Sequence, residues 1–246
     1  MKAIEFAKEH PQTIVLLHGG GLSWWNYRDA AERLAQDYHV VIPLLDGHAN
    51  SDRDFTTIEA TAEELCEYIQ TQYGGRVLAI GGLSQGGQIL AEMLSQHPDI
   101  CQYAMIESAL VIPMRCTNRL IAPMLRMSYG LIQKRWFAKL QFRQLHIKPE
   151  LFDAYYADTC AITRENMIAF LKSNSSYQWN DSLRRCTAKV IVAVGGKEER
   201  KMKRSAHLLH QMLPNSELVV LPGYYHGDLS INHADAYVEL FQTLLK

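Results

Sequence analysis

The chain predicts an α/β fold: a doubly wound, mainly parallel, three-layer sheet with a helical cap inserted in it. Three observations carry that expectation. Short β-branched runs bounded by glycine or proline recur along the 246 residues and alternate with helical patterns. The runs are apolar throughout rather than alternating, as strands covered by helices on both faces must be. One stretch of about 75 residues contains no strand, so it must fold as helices over an edge of the sheet or over its strand ends.

Taken in order, the strand-like runs are 13–17, 39–43, 76–80, 103–106, 189–194 and 217–221. A helix is expected over 56–73, opened by a capping box of Thr56 with Glu59 and carrying Ile58, Ala62, Leu65 and Ile69 on one face. Another is expected over 88–96, and the last over 232–245, with Ala234, Tyr237, Val238, Phe241 and Leu245 on a stripe. The strand-free stretch divides the chain into a core, 1–112 and 189–246, and a cap, 113–188, rich in Met, Leu, Arg and Lys. Ligands of such sheets bind beyond the carboxyl ends of the strands, so a cap there covers the site.

Composition narrows the class. With 48% hydrophobic and 21% charged residues the chain reads as globular, and at this length one core buries roughly 70–75% of the unfolded surface. Lys and Arg total 25 against 26 Asp and Glu, a formal net charge of −1, which gives no overall field to hold a nucleic acid. Cys66, Cys101, Cys116, Cys160 and Cys186 are odd in number and form no CxxC pair, which fits reduced thiols. Glu5 and Glu9 interrupt the first ten residues where a secretory signal needs an apolar run, and no stretch approaches the ~20 apolar residues of a membrane span. The expectation is a soluble cytoplasmic protein with a small-molecule substrate, no nucleic-acid or membrane partner, no metal and no organic cofactor, its self-association left open.

The sharpest chemical signal is Gly82-Leu83-Ser84-Gln85-Gly86, which follows the run 76–80 and opens a helical pattern. A nucleophilic serine on a strained strand-to-helix turn tolerates only glycine-sized neighbours two positions either side, and the helix behind it aims free amides at the site. His18-Gly19-Gly20-Gly21 ends the run 13–17, where acyl-transfer chemistry needs a second amide donor. The turn Asp46-Gly47-His48-Ala49-Asn50-Ser51 serves structure, with His48 a satisfied turn histidine.

A serine hydroxyl needs a histidine to take its proton, and that histidine needs a carboxylate. Of ten histidines only His226, in Pro222-Gly223-Tyr224-Tyr225-His226-Gly227, lies in a loop after a strand near the C-terminal end. Glu198, in Gly195-Gly196-Lys197-Glu198-Glu199, leaves the run 189–194 at the matching place, and Glu107, ending the run 103–106, is the rival acid.

These five motifs, in the order nucleophile, acid, histidine, resemble the α/β-hydrolase superfamily in its compact, helically capped branch, over nearly the whole chain. The resemblance implies Ser84 as nucleophile, His226 as general base and then acid, Glu198 as orienting carboxylate, and the amides of Gly20 and Gln85 as the oxyanion hole. Two positions depart from the family pattern: the acid is Glu where Asp is commoner, and the turn after Asp46 reads His-Ala-Asn-Ser where His-Gly-x-Ser is usual. The pocket is expected between Leu22, Trp24 and Trp25 after the oxyanion loop and Met114, Met124, Met127, Trp136 and Phe137 of the cap. The implied activity is hydrolysis of a small carboxylic ester through an acyl-enzyme. The same triad serves carbon–carbon bond and thioester hydrolysis, and the fold also serves non-enzymatic ligand binding, to which an intact triad is superfluous.

Overall fold

The computed structural model describes residues 1–245. The elements run β1 (Ala3–Phe6), β2 (Thr13–Leu17), α1 (Arg28–Leu34), β3 (His39–Pro43), α2 (Ile58–Tyr73), β4 (Val77–Leu83), α3 (Gln85–Gln96) and β5 (Cys101–Glu107). Four helices follow without a strand between them: α4 (Arg115–Ile132), α5 (Arg135–Gln144), α6 (Phe152–Ala161) and α7 (Arg164–Ser176). The chain then returns through β6 (Lys189–Gly195), α8 (Arg200–Met212), β7 (Ser216–Leu221), α9 (Asp228–Asn232) and α10 (Ala234–Leu244).

The seven strands lie in the order β1-β3-β2-β4-β5-β6-β7, and all pair in parallel except β1, which runs antiparallel to β3. Successive side chains of a strand point to opposite faces. Val15, Leu17, Val41, Ile80 and Val192 therefore pack beneath α2, α3 and α8, while Ile14, Leu16, Val40, Ile42 and Ile191 pack beneath α1, α9 and α10. Burial on both faces is what makes these strands apolar at all but their first positions, each such side chain contributing roughly 1.5–3 kcal/mol.

Three local readings are corrected. β1 lies outside the expected strands: Ala3–Phe6 is a run of only four half-buried residues, interrupted by Glu5, on an edge. The cap of α2 is Thr57, whose hydroxyl accepts from the Ala60 amide; Thr56 forms no box with Glu59, because the side chain that would reciprocate belongs to alanine. The last expected helix, 232–245, forms as α10 from Ala234, preceded by the short α9, which the expectation lacked; its stripe runs through buried Leu244, with Leu245 partly buried beside it.

Helices α4 to α7 cover the carboxyl end of the sheet. α4 turns Leu125 and Ile132 inward, α5 and α6 interlock through Ala138, Phe142 and Tyr155, and α7 buries Met167 and Phe170. Trp25 donates its indole N–H to Asp158 Oδ2 at 2.7 Å, tying α6 to the core. The five cysteines are all free. No described helix is long and apolar enough to cross a membrane.

Candidate active site

Ser84 stands between β4 and α3 with φ 54° and ψ −111°. A non-glycine residue at such a φ is strained by about 1–3 kcal/mol, and it holds only where the surroundings over-determine it. Here they do. The Ser84 amide donates to the Glu107 carbonyl at 2.8 Å, fixing the turn to β5. A Cβ on Gly82 would strike the backbone of Gly86, and one on Gly86 would strike the Leu17 carbonyl, so the turn closes only with glycine at both places.

The histidine arrives from the loop after β7. His226 Nε2 is 3.0 Å from Ser84 Oγ, and His226 Nδ1 is 2.8 Å from Glu198 Oε2. Two backbone bonds stitch the loop of the acid to that of the histidine, Gly196 N to the Leu221 carbonyl at 2.8 Å and Lys197 N to the Tyr224 carbonyl at 3.0 Å. The other carboxylate oxygen of Glu198 accepts from Ser108 Oγ and from the Gly195 amide, each at 2.7 Å. The Glu198 side chain is only 2% exposed. Burial pushes its carboxyl up, but His226, the Ser108 hydroxyl and the Gly195 amide together outweigh this and hold it below the usual carboxylate range.

Glu107, the rival acid, lies elsewhere. Its Oε1 faces the Ser230 amide at 3.4 Å, its Oε2 is buried without a hydrogen-bond partner, and it makes no bond to His226. Burial raises its pKa to about 7.

The loop after β2 presents the Gly20 amide. Its neighbours are tied down: Gly19 N donates to Asn26 Oδ1 at 3.2 Å and Gly21 N to His48 Nε2 at 3.0 Å, while Gly20 N has no acceptor among the described residues. Gln85 N is the first amide of α3 and is likewise free, as helix N-terminal amides are. Gly20 lies directly against the Gln85 side chain. His48 braces this loop and is itself held by Nδ1 at 2.9 Å from the Asp46 carbonyl and by stacking on Phe170. His18 does the same from below, its Nε2 accepting from the Leu45 amide at 3.2 Å. Burial lowers both pKa values, to about 4 for His48 and about 3 for His18. Both bracing roles depend on partners 27 residues distant, and so escaped reading from local sequence.

Ser84 and His226 open into a cavity of about 600 Å³ beneath the cap. Leu22, Leu110, Met114, Ile132, Met167 and Phe170 line it, a mainly apolar wall. Of the expected pocket residues, Leu22 and Met114 lie there. Trp24 and Trp25 do not: Trp25 is buried in the layer beneath α1 and spends its N–H on Asp158, and Trp24 packs beside it. Met124 does not either. With Met127 and Trp136 it points outward, at 62%, 87% and 64% exposure, and Phe137 packs half-buried away from the cavity. Helical spacing marks a face without saying which way it turns. No group of His, Cys, Asp or Glu among the described residues is placed to hold a metal ion.

A family model described as "Alpha/beta hydrolase family" matches residues 14–240. An AB hydrolase superfamily protein of Gibberella zeae is 31% identical over 145 residues, 56% of this chain and 50% of that protein. A thermostable monoacylglycerol lipase of Bacillus sp. (strain H-257) is 31% identical over 114 residues, 44% of this chain and 45% of that protein. The chain thus spans about half the length of these curated relatives. Among solved structures, the enol-lactonase from Burkholderia xenovorans LB400 matches with a TM-score of 0.84 at 16% identity, covering 99% of this chain and 95% of that one. A thermophilic esterase from Thermogutta terrifontis matches with a TM-score of 0.78 at 17% identity, covering 100% and 94%. At these identities the two structures speak to the fold alone.

Proposed function

Because the chain belongs to the alpha/beta hydrolase family, we propose that it is a serine hydrolase cleaving a small carboxylic ester through an acyl-enzyme. The observation that carries this reading is the unbroken hydrogen-bonded line from Ser84 Oγ through His226 to Glu198 at the floor of an apolar cavity.

In the proposed reaction Ser84 Oγ attacks the ester carbonyl carbon while His226 Nε2 takes the hydroxyl proton. The carbonyl oxygen becomes an oxyanion, received by the amides of Gly20 and Gln85. Glu198 keeps the other proton of His226 on Nδ1 and balances the imidazolium charge. The C–O bond to the alcohol then breaks, His226 returns its proton to the departing oxygen, and the acyl group stays on Ser84. Water, deprotonated by His226, attacks the acyl carbon, and collapse releases the carboxylic acid and restores Ser84. The apolar wall favours an apolar acyl group. The monoacylglycerol lipase among the curated relatives agrees with ester chemistry.

The test is a panel of p-nitrophenyl esters of rising acyl length, paired with a fluorophosphonate probe. Turnover is expected, together with a single label at Ser84 that Ser84→Ala abolishes. Labelling of another serine, or turnover surviving in the Ala variant, overturns the assignment.

A further inference from the structure

The outer face of the cap is chemically unlike the rest of the molecule. Residues 108–149 hold eight of the 25 Lys and Arg and none of the 26 Asp and Glu. Seven of the eight exposed large apolar side chains among the described residues lie in the same segment. On α4, Leu120, Met124, Met127 and Leu131 follow one another at helical spacing and form one outward stripe. Arg115, Arg119 and Arg126 form a second stripe, roughly 130° further round the helix. α5 repeats the pattern, with Trp136 and Leu140 next to Lys139 and Arg143. Arg135 is engaged by Asp153 and Lys148 by Asp29, but Arg115, Arg119, Arg126, Lys134, Lys139 and Arg143 have no carboxylate partner among the described residues.

We infer that the outer face of α4 and α5 docks on an anionic lipid surface. A helix lying in a bilayer interface carries an apolar stripe that enters the acyl boundary and, on its polar side, cations that meet phosphates. The attraction must be local to this face, because the chain as a whole carries a net charge of only −1. A second copy packed symmetrically would set unpaired cations against the same cations, and a nucleic acid would gain nothing from a Leu and Met stripe. The inner side of the same segment supplies Met114, Ile132 and Leu145 to the cavity, and Leu145 is 41% exposed. The expectation of no membrane partner rests on the want of a spanning segment, and surface contact needs none. The inference does not depend on Ser84 being a nucleophile.

The experiment is co-sedimentation of the protein with vesicles of phosphatidylglycerol and phosphatidylcholine, and with phosphatidylcholine alone. Binding is expected only to the anionic vesicles, weakening as salt is raised. Arg119→Glu with Arg126→Glu should lower the partition coefficient at least ~100-fold, and Leu120→Glu with Leu140→Glu by a similar factor, with melting temperatures unchanged. Equal binding to both vesicle types, or to neither, overturns the inference, and so does binding that ignores salt. Self-association that Leu120→Glu removes would assign the face to a second copy, and duplex-DNA binding that needs the arginines but not the leucines would assign it to nucleic acid; either also overturns it. The salt and lipid comparisons on the unaltered protein stand even if a variant fails to fold.

Discussion

Glu198→Gln is an isosteric change whose consequence can be worked from the hydrogen bonds of the carboxylate. Oε1 faces two donors, one of which, the Gly195 amide, cannot become an acceptor. Oε2 faces His226 Nδ1. A glutamine must therefore turn its carbonyl to Gly195, which leaves its NH₂ against His226 Nδ1. That nitrogen is then forced to accept, so the imidazole proton moves to Nε2, where it faces Ser84 Oγ and cannot take the serine proton. The expected loss is roughly 10⁴-fold in kcat, about 5.4 kcal/mol of barrier, with KM little changed and the fold intact. The assay is steady-state hydrolysis of p-nitrophenyl acetate beside a thermal melt. Glu107→Gln, run in parallel, should keep most activity because that side chain makes no bond to His226. If Glu198→Gln keeps a tenth or more of kcat while Glu107→Gln is crippled, the tautomer argument and the choice of acid both fail.

Glu107 should instead reveal itself in stability. Its pKa is raised to about 7 by burial, so the folded chain holds a proton there that the unfolded chain releases near 4.5, and the stability it contributes is lost as pH rises through about 7. Glu107→Gln should therefore gain on the order of 2 kcal/mol over the parent at pH 8, a gain that disappears by pH 5 in urea titrations. His18 and His48 act oppositely: the unfolded chain protonates them near 6.5 and the folded chain only at about 3 and about 4, so stability drains as pH falls through that window. His48→Gln should flatten the slope by up to about 1.4 kcal/mol per pH unit in the same titrations. Gly86→Ala places a methyl against the Leu17 carbonyl and should cost at least about 3 kcal/mol, seen as lost soluble yield or a collapsed melting temperature.

The parts of the molecule that sequence disclosed are those whose cause is local. A strand buried on both faces is apolar along nearly its whole length, and so 13–17, 39–43 and 189–194 announced themselves despite Thr13, His39 and Lys189 at their starts. The turn at Ser84 needs two small neighbours, and those glycines are adjacent in the chain. What stayed hidden depends on partners brought from afar: Ser108 bound to Glu198 across 90 residues, His48 on the loop after β2 across 27, and Trp25 bound to Asp158 across 133. The cap misled in another way. Met124 and Ile132 both belong to apolar rows of α4, and only the packing of α4 against α7 decides that Ile132 lines the cavity while Met124 faces water.

The order of the strands also sets a timetable for making the protein. β1 to β5 are consecutive, but the edge that β5 offers to β6 stays unpaired until the ribosome has passed through the four cap helices. Closing so long an excursion is thermodynamically cheap, about 0.6 kcal/mol for each doubling of its length. Its cost is time: at roughly 5–20 residues per second the apolar edge of β5 waits for roughly 4–16 s, long enough to be a sticking point between nascent chains. The same delay separates Ser84, made early, from Glu198 and His226, made later, so a half-made chain has the proposed nucleophile and not yet the proposed base.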